Sequence, residues 1–123
     1  MHRDKIVIIS ERSEERASLE ELVSQAGLAV ETADSFELWL DTPEVAPASC
    51  VVLDLDSGAL GESERLTRLA TICTSHRVLV LTETGDVSTA VQAVRQGASQ
   101  VMQRSAGHRG ILRQILQLVD MPG

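Results

Sequence analysis

Aromatic side chains are nearly missing from this chain: Phe36 and Trp39 make up its 2 %, and there is no tyrosine. A core built without them has to be aliphatic, and stacking platforms for single-stranded nucleic acid are not available. Cations are scarce as well. Eleven Lys and Arg against eighteen Asp and Glu leave a net charge of -7. That disfavours direct nucleic-acid binding, which needs clustered basic residues, and leaves protein partners open. No apolar run approaches the ~20 residues that cross a bilayer. The opening "MHRDKIVIIS" runs straight into a strand-like segment, not a signal peptide, so the expected location is cytoplasmic, off the membrane. Cysteine is limited to Cys50 and Cys73, without metal-like spacing and each at the edge of an apolar segment. They read as reduced, mostly buried thiols.

What is present is a regular alternation. Apolar residues at 43 % and charged ones at 24 % suit one globular domain with one core. Residues 5–10 ("KIVIIS") read as a buried strand. Ser13 fits a helix N-cap, Glu14 and Glu15 a first turn, and Gly27 a helix end, with Ala17, Leu19, Leu22, Val23 and Ala26 at helical spacing between. Residues 28–32 form a short strand. Asp34 or Ser35 caps a second, short helix with Phe36, Trp39 and Leu40, and residues 41–49 are a proline-containing loop. Strands follow at 50–54, 78–82 and 99–104. Ser57, Gly58 and Gly61 make a turn before a third helix with Leu66, Leu69, Ala70 and Ile72 inward. Asp86 caps a fourth, with Val87, Ala90, Val91 and Val94 on one face. The last runs from about Gly107 to Asp120, with Ile111, Leu112, Ile115, Leu116 and Val119 inward.

Five such βα units imply a doubly wound α/β fold, a parallel sheet covered on both faces, in the order 2-1-3-4-5. In such a fold the functional crevice lies beyond the C-terminal strand ends. Those ends carry Ser10 and Glu11, then Asp54 and Asp56, then Thr82 and Glu83, then Arg104. Singly, each has an ordinary reading: a turn-capping Thr, a solvated Arg, a charged helix entrance at "SERSEER". Jointly they deliver acids, a hydroxyl and a cation to one rim.

At this point the chain resembles the receiver domains of two-component response regulators, along essentially all of its length. The likeness is strongest to FixJ-type receivers in "TETGDVSTAVQAVRQGAS" and "GLAVETADSFELWL". The resemblance implies a CheY-like, flavodoxin-type (βα)5 fold. It makes Asp54 the phosphoacceptor, Thr82 the switch hydroxyl and Arg104 the cation that pairs with the phosphoryl group. It implies Mg²⁺ held by Glu11, Asp54 and the backbone carbonyl of Asp56. It also implies a histidine kinase or phosphotransfer protein as donor, and a homodimer or effector contact through the fourth helix, fifth strand and fifth helix. Such a domain is not an enzyme beyond slow self-phosphorylation and dephosphorylation.

Several positions depart from the family pattern. Ser10 stands where an acid belongs, so Mg²⁺ is expected to bind weakly. Arg104 replaces Lys, a planar fork instead of a compact ammonium. Ser105 and Gly58 replace prolines, and Val101 replaces the aromatic switch residue. Glu83 adds a carboxylate beside Thr82 and is expected to repel an arriving phosphodonor.

Two rival readings remain at this stage. One is a pseudo-receiver that signals through protein contacts without phosphorylation. The other is a haloacid-dehalogenase-like phosphatase, with Asp54 as nucleophile and Asp56 as general acid. The expectation is a single receiver domain over 1–123, with its core at about 4–120 and no output domain in this chain.

Overall fold

The computed structural model describes residues 4–35, 48–55, 61–83 and 87–120. The expected short helix at Phe36–Leu40, most of the proline-containing loop, Ser57, Gly58 and the Asp86 cap lie outside them. Five strands are β1 (Lys5–Ile9), β2 (Ala29–Ala33), β3 (Cys50–Asp54), β4 (Val78–Thr82) and β5 (Gln100–Gln103). They form one sheet in the order β2-β1-β3-β4-β5, and every pairing is parallel. The described helices are α1 (Ser13–Gln25), α2 (Glu62–Cys73), α3 (Val87–Arg95) and α4 (His108–Asp120). The last two are the fourth and fifth helices of the sequence reading.

The strand sequences explain their positions. β3 and β4 are buried along their whole length, as continuous apolar runs require when both sheet faces are covered. β2 and β5 are only partly buried and form the edges. Alternate residues of the central strands feed two cores. Val7, Ile9, Val51, Leu53, Val78 and Val80 pack with Leu66, Leu69 and Ile72 of α2 and Ala93 of α3. Ile6, Ile8, Val52, Leu79 and Leu81 pack with Leu19 and Val23 of α1 and Ile111, Ile115 and Leu118 of α4. Each fully buried Val, Leu or Ile contributes about 1.5–3 kcal/mol, so these aliphatic residues hold the sheet firmly.

The helices differ from the sequence reading in instructive ways. Arg12, not Ser13, is the N-cap of α1, with extended backbone. The cause is Ser10, whose Oγ accepts the Arg12 N–H at 3.1 Å and fixes the turn from β1. Ala17 and Ala26 are exposed, so the fully buried stripe of α1 is just Leu19 and Val23. On α4 Leu118 is buried, while Val119 is only partly buried and Leu116 is exposed. On α3 the valine face points outward. Val87, Val91 and Val94 are 73 %, 43 % and 56 % exposed, and Ala93 is the buried residue.

The chain just after α3 lies close against the end of α2. A Cβ added at Gly97, which has φ +109, would lie 2.9 Å from Cys73 Cβ, so this approach excludes larger residues. At the far edge, β5 stops at Gln103, and Arg104 opens a short 3-10 turn, Arg104–Ala106. Val101 pairs with Val80 and packs, half-buried, against the first core. Among the described residues no helix is long and apolar enough to cross a membrane.

Cys50 lies within β3, and both cysteines are free. Burial pushes the Cys50 thiol up to about 12, against smaller downward pulls from the Leu79 backbone and Arg77. Burial also raises Cys73. The unfolded chain releases the Cys50 proton near its ordinary value of 9.0, while the folded chain keeps it. Stability must therefore fall as pH rises from about 9 toward 12, because the native state binds more protons there. With one lysine and no tyrosine, few other groups titrate in that window. Urea midpoints are expected to decline with pH above about 9, and Cys50→Ala should flatten the decline. An unchanged slope in that variant would contradict the assignment.

Candidate functional site

The C-terminal ends of β1, β3 and β4 converge on one rim, and Arg104 reaches it from the turn after β5. Asp54 ends β3 and is 2 % exposed; Ser10 and Thr82 are buried beside the same edge. The register pairs Asp54 with Leu81, one residue short of Thr82. Burying a carboxylate is costly unless charge and hydrogen bonds compensate it. Here they do. An Arg104 Nη meets Asp54 Oδ1, the Ser10 hydroxyl lies 3.2 Å from Asp54 Oδ2, and Arg12 Nε stands 3.8 Å from that same oxygen.

Glu15, on the first turn of α1, completes a ring. Its Oε2 accepts from Arg104 Nε at 2.8 Å, and its Oε1 lies 3.4 Å from Ser10 Oγ. Asp54, Ser10, Glu15 and Arg104 are thus linked head to tail. Ser10 is itself tightly placed. Its N–H donates to Ala33 O at 3.1 Å, and its carbonyl accepts from Arg16 at 2.6 Å. Arg16 in turn pairs with Asp34 at 3.2 Å. The single Ser10 hydroxyl proton can serve either Asp54 or Glu15 at one moment, so the two carboxylates share it.

The predicted residues divide as follows. Asp54, Thr82, Ser10 and Arg104 come together. Glu11 follows β1 at the same end and is exposed. Glu83 is exposed at the rim, where Arg12 Nη2 donates to its Oε2 at 2.9 Å. Its charge therefore meets a donor as half of an ion pair, not as a bare carboxylate. Asp56 lies outside the described residues. The sequence reading missed Arg12 and Glu15 as parts of the site, taking "SERSEER" as a charged helix entrance. The available signal was position: α1 begins directly after the rim, so its first turn has to face it.

Mg²⁺ demands close oxygen ligands in octahedral array. Both Asp54 oxygens face guanidinium groups, and Ser10 brings no charge. Among the described residues no group of three or more His, Cys, Asp or Glu is placed to hold a metal. Two unit charges 4 Å apart interact by about 4 kcal/mol at an effective dielectric near 20, and a divalent ion beside Arg12 would double that as repulsion. As arranged, the site does not fit the ion.

No family model matches the chain. It is 30 % identical over 99 residues to the transcriptional regulatory protein FixJ of Bradyrhizobium diazoefficiens, matching 80 % of this chain and 48 % of that protein. The chain thus spans about half the length of this curated relative. Full-length FixJ from B. japonicum superposes with a TM-score of 0.81 at 27 % identity, covering 97 % of this chain and 59 % of that one. A response regulator from Burkholderia pseudomallei, solved with a phosphorylated aspartic acid, a calcium ion and citrate, superposes with a TM-score of 0.77 at 24 % identity, covering 97 % and 75 %.

The ring makes a quantitative demand on stability. Arg104→Met leaves Asp54 and Glu15 buried against an apolar side chain and is expected to destabilise the fold by about 3–5 kcal/mol. Adding Asp54→Asn removes one stranded charge and should restore part of that loss, because the two sites are coupled. Urea unfolding of the single and double variants checks it. Strictly additive effects would show that Arg104 and Asp54 do not interact.

Proposed function

Because the chain belongs to the CheY-like receiver domains of two-component response regulators and stands close to FixJ, we propose that Asp54 is its phosphoacceptor. The observation that carries this reading is a buried carboxylate at the C-terminal end of the central strand, flanked by Thr82 and met by Arg104. A carboxylate oxygen of Asp54 attacks phosphorus. The new O–P bond forms as the donor's bond to phosphorus breaks, and the electron pair leaves with the donor: acetate, or a kinase imidazole. No group is oxidised or reduced. The Thr82 hydroxyl donates to a phosphoryl oxygen, and Arg104 offers its fork to the rest. A histidine kinase or phosphotransfer protein is the physiological donor in this proposal. The domain is a signalling domain and not an enzyme in the ordinary sense, and its place is the cytoplasm.

Glu11, Asp54 and the Asp56 carbonyl were the expected Mg²⁺ ligands; because the guanidinium groups of Arg104 and Arg12 already face both Asp54 oxygens, the transfer is proposed without the ion. Val101 fills the switch position with an aliphatic residue in contact with the first core, so the readout cannot be an aromatic swing. The phosphatase reading gives way to the receiver one, because a complete βαβ unit precedes Asp54 in the sheet. The pseudo-receiver reading keeps one observation in its favour: both Asp54 oxygens are already engaged.

Output is proposed to run through α3, β5 and α4. Val87, Val91 and Val94 recur one helical turn apart and are exposed, an apolar stripe on an otherwise acidic protein. Such a stripe suits a second copy or an effector surface.

Acetyl phosphate should raise the intact mass by one phosphoryl group, and Asp54→Asn should abolish the gain. Ser10→Asp, together with Glu83→Ala, should label faster than either alone when Mg²⁺ is present. Absence of labelling in every background would favour the pseudo-receiver. For the output face, Val94→Asp should weaken self-association or effector binding in sedimentation experiments by about tenfold, equivalent to about 1.4 kcal/mol. Unchanged association would remove that face from the proposal.

A further inference from the structure

Arg12 stands at the rim although the phosphoacceptor reading does not require it. Its side chain bridges two acids from different strand ends, with Nε 3.8 Å from Asp54 Oδ2 and Nη2 2.9 Å from Glu83 Oε2. Asp54 is buried and Glu83 is exposed, so the guanidinium spans from the interior of the pocket to its mouth. Its backbone is fixed by the Ser10 hydroxyl at the start of α1. Arg12 also lines an open cleft of about 510 Å³, together with Ser13, Glu14, Glu15, Ser18 and His108.

We infer that Arg12 is the resident cation of this pocket, supplying from the protein the positive charge that the family resemblance assigned to Mg²⁺. The inference rests on the reading of Asp54 as phosphoacceptor but deepens it. The two departures expected to be defects then belong together. Ser10, in place of an acid, leaves Asp54 Oδ2 to a hydroxyl and a guanidinium instead of to a metal. Glu83, in place of a small residue, anchors that guanidinium over the pocket. An acid at position 10 would compete with Asp54 for Arg12, and a small residue at 83 would leave Arg12 tied at one end.

When a phosphoryl group arrives, the charge at Asp54 becomes more negative. A planar fork matches phosphate oxygens in pairs, so Arg12 can pass from Asp54 and Glu83 to the phosphoryl group without leaving the rim. Arg104 stays with Glu15 on the opposite side. With Arg104 already at Asp54, the pocket then sets two guanidinium groups around the phosphoryl group and has no need of a divalent ion.

The test has a binding arm and a labelling arm, both on the full chain. In the first, Mg²⁺ alone is titrated by calorimetry and by backbone amide shifts. The wild type should show no saturable binding at Asp54 up to about 10 mM, a concentration at which weak carboxylate sites still fill. Arg12→Gln should gain binding at least about tenfold tighter, and Arg12→Gln with Asp54→Asn should lose it again. In the second arm, acetyl-phosphate labelling of the wild type should proceed equally in Mg²⁺ and in EDTA, and Arg12→Gln should label only in Mg²⁺. Tight, Asp54-dependent Mg²⁺ binding by the wild type would overturn the inference, as would wild-type labelling that stops in EDTA. If nothing labels under any condition, the phosphoacceptor reading fails, and the binding arm still decides whether Arg12 holds the cation's place.

Discussion

The structure depends on one constraint: a carboxylate is almost wholly buried, and the protein must compensate its charge from within. Asp54 is buried at the end of a strand that is apolar throughout. Everything at the rim follows from that. Arg104 leaves the end of β5 and turns in a 3-10 step toward Asp54 and Glu15. Ser10 stops β1 with a hydroxyl directed at the same oxygen that Arg12 approaches. The first turn of α1 supplies Glu15 to keep Arg104 in line. Each group is held by at least two others, so the site is preorganised by charge as well as by the sheet beneath it.

The two halves of the molecule have different tasks. Among the described residues the sheet and its helices bury an aliphatic core, which suits an architecture whose β3 and β4 must be apolar on both faces. That core fixes the strand ends in space. The rim then carries acids and cations that would be ruinous inside. The acids Glu11, Glu15, Asp34, Asp54 and Glu83 share this end of the molecule with Arg12, Arg16 and Arg104, and each of the three arginines is paired with at least one of them.

The strand order, the βα alternation and the convergence of Asp54, Thr82 and Arg104 were legible in the sequence because they depend on period and on position along the chain. Short apolar runs alternating with helical spacing leave few ways to wind a parallel sheet. Side-chain partnerships were less legible. Arg12 and Glu15 look like ordinary charges at a helix start, and nothing in "SERSEER" says which of them turn toward β3. The α3 valines carried a helical period, but period does not say which face meets the sheet. The residue of α3 that is fully buried is the small Ala93. α1 begins one residue earlier than Ser13 would place it, with Arg12 as N-cap and its N–H held by the Ser10 hydroxyl.

The account stands or falls on whether guanidinium groups compensate Asp54 from both sides. The most direct measurement is the ¹H–¹⁵N spectrum of the arginine Nε–H groups in solution. If the account holds, Arg12 and Arg104 give separate, slowly exchanging signals in the wild type, and both shift when Asp54 becomes Asn. Rapidly exchanging, averaged signals that ignore Asp54→Asn would contradict it.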